Sequence, residues 1–220
     1  MSKQNKIKVS IIDYGMGNLF SVKQACEHIG LRTLVTSKAE DVFKADGLIL
    51  PGVGSFGNAM SNLTNLGLGE AITDFIKKGK PFMGICLGMQ LLFSESDEFG
   101  KHKGLDLIKG KVIKFSAIDK DGNKAKVPQV GWNRIKKYSH GSAWDKSPLK
   151  NIREGSFMYF VHSYYCNPGD SRFIASTTEY AGIEYCSSVL KDNIYASQFH
   201  PEKSAQGGLQ IYSNWLNYFK

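Results

Sequence analysis

The stretch Lys8-Val9-Ser10-Ile11-Ile12-Asp13-Tyr14-Gly15-Met16-Gly17-Asn18-Leu19 decides the fold. A short β-rich run gives way to a Gly-rich turn. Leu19, Val22, Cys26 and Ile29 then recur at helical spacing until Gly30 closes the helix. The alternation continues down the first half. Residues 31–36 and 47–50 read as strands, and 52–57 as a second Gly-rich turn. Leu68, Ala71, Ile72, Phe75 and Ile76 form an amphipathic helix ending at Gly79, residues 81–85 a buried strand, and 87–93 a short helix. Strands and helices alternating through short loops predict a parallel sheet covered on both faces.

From Leu107 the pattern changes. Residues 111–115, 132–136, 157–165, 173–178 and 183–190 are strand-like with little helix between them, which predicts mixed or antiparallel strands added to the parallel core. Residues 195–199 give a last strand, and Leu209, Tyr212, Leu216 and Phe219 share one face of a terminal helix. The fold class expected is a three-layer α/β domain spanning residues 1–220 as one unit.

Composition narrows the setting. With 42 % hydrophobic and 22 % charged residues the chain is ordinary globular material, which excludes disorder. Its four cysteines, Cys26, Cys86, Cys166 and Cys186, include no C-x-x-C pair, so neither a zinc site nor a disulfide framework is expected. The apolar stretch after the N-terminus is too short for a signal sequence, and no apolar run approaches a membrane span. A soluble, cytoplasmic protein without a membrane partner is expected. The net charge of +8 is concentrated: residues 101–153 hold 14 Lys and Arg against 4 Asp and Glu. Such a run could attract a phosphorylated metabolite or an acidic partner, but a solvated, lysine-decorated sheet edge is the simpler reading. The lysines have no interleaved stacking aromatics, so nucleic acid is not expected.

Three Gly-rich turns, at 15–17, 52–57 and 84–88, fall at the carboxyl ends of expected strands, where ligands bind in such sheets. Gly52-Val53-Gly54-Ser55-Phe56-Gly57 satisfies G-x-G-x-x-G, yet it is not at the opening strand and no acid ends the next one, so a dinucleotide is not expected. Gly84-Ile85-Cys86-Leu87-Gly88 has the G-x-C-x-G form of a thiol nucleophile elbow. Its glycines permit a sharp turn that lifts Cys86 above the sheet edge, and the following helix start favours a thiolate. Cys26, Cys166 and Cys186 read as buried structural thiols. A thiolate attacking a carbonyl needs a proton carrier and a group to orient it. His200-Pro201-Glu202 follows the last expected strand, and in extended chain His200 and Glu202 would face the same side. Among the other histidines, His28, His102 and His140 read as helix-surface or loop residues, and His162 ends a strand.

Five segments carry a family resemblance: Asp13-Tyr14-Gly15-Met16-Gly17-Asn18, Leu50-Pro51-Gly52-Val53-Gly54-Ser55-Phe56, Gly84-Ile85-Cys86-Leu87-Gly88-Met89-Gln90-Leu91-Leu92-Phe93, Tyr159-Phe160-Val161-His162-Ser163-Tyr164 and Gln198-Phe199-His200-Pro201-Glu202-Lys203-Ser204. Together they resemble the class I glutamine amidotransferases, and within them the glutaminase subunits of imidazole glycerol phosphate synthase. The resemblance implies a flavodoxin-like domain that hydrolyses L-glutamine to glutamate and ammonia through Cys86, His200 and Glu202. It further implies an oxyanion hole from the N–H groups of Val53 and Leu87, and a substrate pocket from Gly52, Gln90, Glu98, His162, Ser163 and Tyr164. No metal or other cofactor is implied. The implied partner is a (β/α)8-barrel cyclase subunit, forming a heterodimer that makes imidazole glycerol phosphate and AICAR in histidine biosynthesis. One segment departs: Pro128-Gln129-Val130-Gly131-Trp132-Asn133 stands where the family commonly has Pro-His-Met-Gly-Trp-Asn. That departure leaves a second partner open, a sugar amidotransferase of surface-polysaccharide pathways.

Overall fold

The structure, a computed structural model, describes residues 7–118, 122–141 and 143–219. The N-terminal lead-in, residues 1–6, and positions 119–121 and 142 of the basic section lie outside the described residues.

Element order follows the expected alternation: β1 (Lys8–Ile12), α1 (Leu19–His28), β2 (Arg32–Thr36), α2 (Ala39–Phe43), β3 (Gly47–Gly52), α3 (Phe56–Asn65), α4 (Leu68–Lys77) and β4 (Phe82–Cys86). Next come α5 (Leu87–Gln90), β5 (Phe93–Ser96), β6 (His102–Lys103), β7 (Ile108–Lys114), β8 (Gln129–Arg134), β9 (Lys136–Lys137) and α6 (Ala143–Lys146). The chain closes with β10 (Phe157–His162), β11 (Tyr164–Pro168), β12 (Ile174–Tyr180), β13 (Ile183–Lys191), β14 (Ile194–Ser197) and α7 (Ala205–Trp215).

Strands β2-β1-β3-β4-β14 lie side by side in parallel, and β13, β11 and β7 continue the sheet antiparallel. The central strands β3 and β4 are buried at every residue, as the covered core of a parallel sheet requires. Their side chains alternate between two cores. Leu48, Leu50 and Phe82 pack with Phe56, Leu63, Ile72 and Phe75 of α3 and α4, while Ile49, Met83 and Ile85 pack with Val22, Cys26, Tyr212 and Trp215 of α1 and α7. Helices on both faces of one sheet make the three layers.

Three sequence expectations need correction. Residues 87–93 are not one helix: α5 stops at Gln90 and Phe93 opens β5. Residues 157–165 are not one strand: the chain breaks at Ser163, β10 pairing with β8 in a separate two-stranded ribbon and β11 joining the main sheet. The segment from His200 to Glu202 is not extended throughout. His200 is extended, but Pro201–Lys203 forms a 3-10 turn.

The basic section is spread over β6 to α6, and several of its lysines meet carboxylates at exposed positions, among them Lys136 with Glu179 and Lys137 with Asp145. No described helix is long and apolar enough to cross a membrane.

Candidate active site

Strand β4 runs straight into α5, and Cys86 takes the bend between them at φ 54° and ψ −110°. For a side chain bearing a Cβ this is sparsely populated backbone. Neighbouring glycines make the bend feasible. A Cβ on Gly88 would lie 1.8 Å from the Leu50 carbonyl oxygen, and one on Gly84 would lie 2.9 Å from the Gly88 carbonyl oxygen. Strand β3 and α5 therefore approach more closely than any other residue allows. The elbow expected from G-x-C-x-G is present, with Cys86 only 5 % exposed.

Strand β14 lies beside β4, so the segment after it returns to the same edge of the sheet. There the His200 Nδ1 lies 2.7 Å from Glu202 Oε1, with both side chains almost fully enclosed. The 3-10 turn brings the carboxylate back onto the ring. The other ring nitrogen, Nε2, is buried without a hydrogen-bond partner, and Cys86 is among the groups that act electrostatically on the ring. Burial pushes the imidazole towards neutrality, but Cys86 and Glu202 outweigh it and push its pKa up to about 10. By contrast, Cys26, Cys166 and Cys186 are free, buried thiols raised by burial, as expected of structural cysteines.

In front of Cys86 a cavity of about 290 Å³ opens, lined by Val53, Leu87, Gln90, Glu98, His162, Ser163 and Tyr164 among others. Seven sequence candidates thus share one space with the thiol. Gly52 does not line it. It pairs with Cys86 across the β3–β4 ladder, and a Cβ there would strike the Tyr14 hydroxyl at 2.1 Å. Gly54, Pro128 and Val161 complete the wall.

The polar groups of the wall are held by the fold. Glu98 Oε2 accepts the Phe56 N–H at 2.6 Å, so a carboxylate occupies the α3 N-terminus, the place where a Gly-rich loop would otherwise receive a phosphate. His162 places Nδ1 2.8 Å from the Tyr164 carbonyl and Nε2 3.3 Å from the Tyr185 hydroxyl, which in turn donates to Gln129 Oε1 at 3.0 Å. Burial lowers the His162 pKa to about 4, against the support of the Tyr164 carbonyl, so this ring is neutral at pH 7. One residue was missed at the sequence level: Gln198, wholly buried, whose Nε2 lies 3.6 Å from Cys86 Sγ. Its only signal was its place two residues before His200. Among the described residues no cluster of three His, Cys, Asp or Glu side chains could hold a metal ion.

Thiol, imidazole and carboxylate meeting at the carboxyl edge of a parallel sheet is the arrangement of cysteine-dependent enzymes that open amides and esters. Comparison gives the particular group: the chain belongs to the class-I glutamine amidotransferase family, whose model matches residues 10–217. It is 44 % identical over 210 residues to the imidazole glycerol phosphate synthase subunit HisH of Chlorobaculum tepidum, covering 96 % of this chain and 100 % of that one. Against the same-named subunit of Bacillus subtilis it is 46 % identical over 203 residues, 92 % of each chain. A solved glutamine amidotransferase shares the fold at TM-score 0.71 and 15 % identity, over 96 % of this chain and 98 % of that one.

Proposed function

We propose that this chain is the glutaminase subunit of an imidazole glycerol phosphate synthase, a single amidotransferase domain that hydrolyses L-glutamine and hands ammonia to a cyclase subunit. The observation that carries the reading is Cys86 in the wall of a cavity sized for an amino acid, with the buried His200–Glu202 pair acting on it from behind that wall. End-to-end identity with the HisH subunits supports the choice of synthase.

The chemistry follows from the groups present. His200 takes the Cys86 proton, and the thiolate attacks the side-chain carbonyl carbon of glutamine. The oxyanion forms beside the N–H groups of Leu87 and Val53, each such donor lowering a barrier by about 2.7–4 kcal/mol in comparable enzymes. His200 returns the proton to the departing ammonia, leaving a γ-glutamyl thioester, and then draws a proton from water to release glutamate. Glu202 holds the ring in one tautomer and offsets its positive charge. Gln90 and Glu98 grip the amino-acid end of the substrate, with His162, Ser163 and Tyr164 closing the pocket.

Large apolar side chains lie exposed near the cavity mouth: Val53 on its rim, Val130 and Trp132 on the strand that follows the cavity residue Pro128, and Phe99 next to Glu98. A partner docked there would cover them and receive ammonia out of contact with water. The barrel cyclase fits the synthase reading; the relatives give the sugar amidotransferase no support. Solubility in the cytoplasm accords with this role.

The test is a reconstituted complex. Cys86→Ala is expected to abolish glutamine-driven synthesis and leave ammonia-driven synthesis by the cyclase nearly intact. Equal loss of both, or fast glutamine hydrolysis by the isolated chain, would count against a partner-fed glutaminase.

A further inference from the structure

Behind the cavity wall runs a chain of hydrogen bonds whose direction is fixed at one end. The Tyr164 main-chain carbonyl accepts from Gln90 Nε2 at 3.0 Å. A carbonyl can only accept, so Gln90 must present its NH2 end there. The same nitrogen donates its other hydrogen to Gln198 Oε1, also at 3.0 Å. Gln198 is then obliged to turn its oxygen towards Gln90 and its NH2 towards Cys86, where Nε2 lies 3.6 Å from Sγ. Reversing the Gln90 amide would set two oxygens against each other at Tyr164, and reversing the Gln198 amide would set two NH2 groups against each other. Gln198 is wholly buried and does not line the cavity in front of Cys86, so neither solvent nor a ligand in that cavity competes for its amide.

We propose that Gln198 is a dedicated N–H donor to the Cys86 sulfur, stabilising its thiolate form and tying it through Gln90 to the substrate cavity. This rests on the reading of Cys86 as the nucleophile. When the proton passes from Sγ to His200 Nε2, charge builds on the sulfur and the Gln198 N–H meets it; no bond within Gln198 changes. The protonated thiol has a different neighbour, the Val161 carbonyl at 3.9 Å, which can accept an S–H but repels a thiolate. One partner suits each protonation state. The titratable groups acting on the sulfur are His200, Tyr14, Tyr185 and Cys166, with Glu98 and His162 facing it across the cavity. Of these, His200 is the group that carries a compensating positive charge, and Gln198 adds a neutral donor from the opposite end of the same segment.

The experiment is the pH dependence of Cys86 alkylation by iodoacetamide, followed by peptide mass. The other three cysteines are buried and serve as internal references. Gln198→Met removes the donor at similar volume; Gln198→Glu keeps the acceptor towards Gln90 and sets a carboxylate against the sulfur. The alkylation midpoint is expected to rise by about one pH unit in Gln198→Met, roughly a tenfold loss of thiolate near neutrality, and further in Gln198→Glu. A purely structural role would lower the melting temperatures without ordering the midpoints in this way. Unchanged midpoints overturn the proposal, and because Gln198→Glu preserves the shape of the side chain it supplies the readout should Gln198→Met fail to fold. The nucleophile reading fails separately, if Cys86→Ala still hydrolyses glutamine.

Discussion

His200 Nδ1 and Glu202 Oε1 sit 2.7 Å apart with their side chains 2 % and 1 % exposed, an ion pair sealed from solvent two residues apart in sequence. Such a pair is strong only while both charges are present, since removing one leaves the other buried and uncompensated. Glu202→Gln keeps the shape and removes the charge. The His200 pKa, held up to about 10 by Cys86 and Glu202 against burial, must then fall. Glutamine hydrolysis in the complex is expected to drop about 100-fold or more, by analogy with other catalytic imidazoles deprived of their carboxylate. Its alkaline limb is expected to move to lower pH, because in the proposed mechanism the ring must be protonated to release ammonia. A pH–rate profile with the wild-type limb would remove Glu202 from the mechanism.

His162 makes the opposite prediction. Its pKa falls from the ordinary 6.5 to about 4 on folding, chiefly through burial. Between those values the unfolded chain binds a proton that the folded chain refuses, so stability contributed by the neutral ring is complete above pH 6.5 and lost as pH falls towards 4. The loss amounts to about 3 kcal/mol at 1.36 kcal/mol per pH unit. His162→Asn is expected to be less stable at pH 7.5, having lost contacts to Tyr164 and Tyr185, yet to show a flatter decline from pH 6.5 to 4 in urea titrations. The His200 pair does not confuse the measurement, since its raised pKa confers stability that is fully present below pH 6.5 and disappears only as pH climbs towards 10.

What could be read from the sequence was what is local. Short strand-like runs at Lys8–Ile12, Gly47–Gly52 and Phe82–Cys86, alternating with helical spacing through short loops, signalled a covered parallel sheet, and the last two are buried at every residue. Cys86 announced itself through its flanking glycines, and His200 with Glu202 through a tripeptide. The structure does bring His200 and Glu202 together, but through a 3-10 turn and not through the extended chain the tripeptide suggests, because proline restricts the residue before it and leaves the residues after it free. Alternation could not reveal that the chain changes sheets at Ser163, since both halves keep a period of two. Leu91-Leu92-Phe93 offered an apolar run without periodicity, which fits a helix and a strand equally well. Gln198 was beyond reach for a different reason. Its meaning depends on which way the Gln90 amide points, 108 positions away.

The elbow itself supplies the last prediction. Replacing alanine by glycine at an ordinary position costs about 0.5–1 kcal/mol, because glycine has more freedom to lose on folding. Position 86 is held at φ 54° and ψ −110°, where a Cβ is penalised by about 1–3 kcal/mol and glycine is not. The clamp responsible is the close passage of Gly88 against the Leu50 carbonyl, which leaves the backbone no room to relax. Two variants without the thiol therefore isolate the strain. Cys86→Ala removes the sulfur and keeps the Cβ; Cys86→Gly removes both. The usual order is expected to invert, with Cys86→Gly more stable than Cys86→Ala by about 1 kcal/mol in chemical denaturation. Neither variant carries a thiol, so the difference cannot come from the Gln198 or His200 contacts. If Cys86→Ala proves the more stable, the bend stores no strain, and the thiol is presented by packing alone.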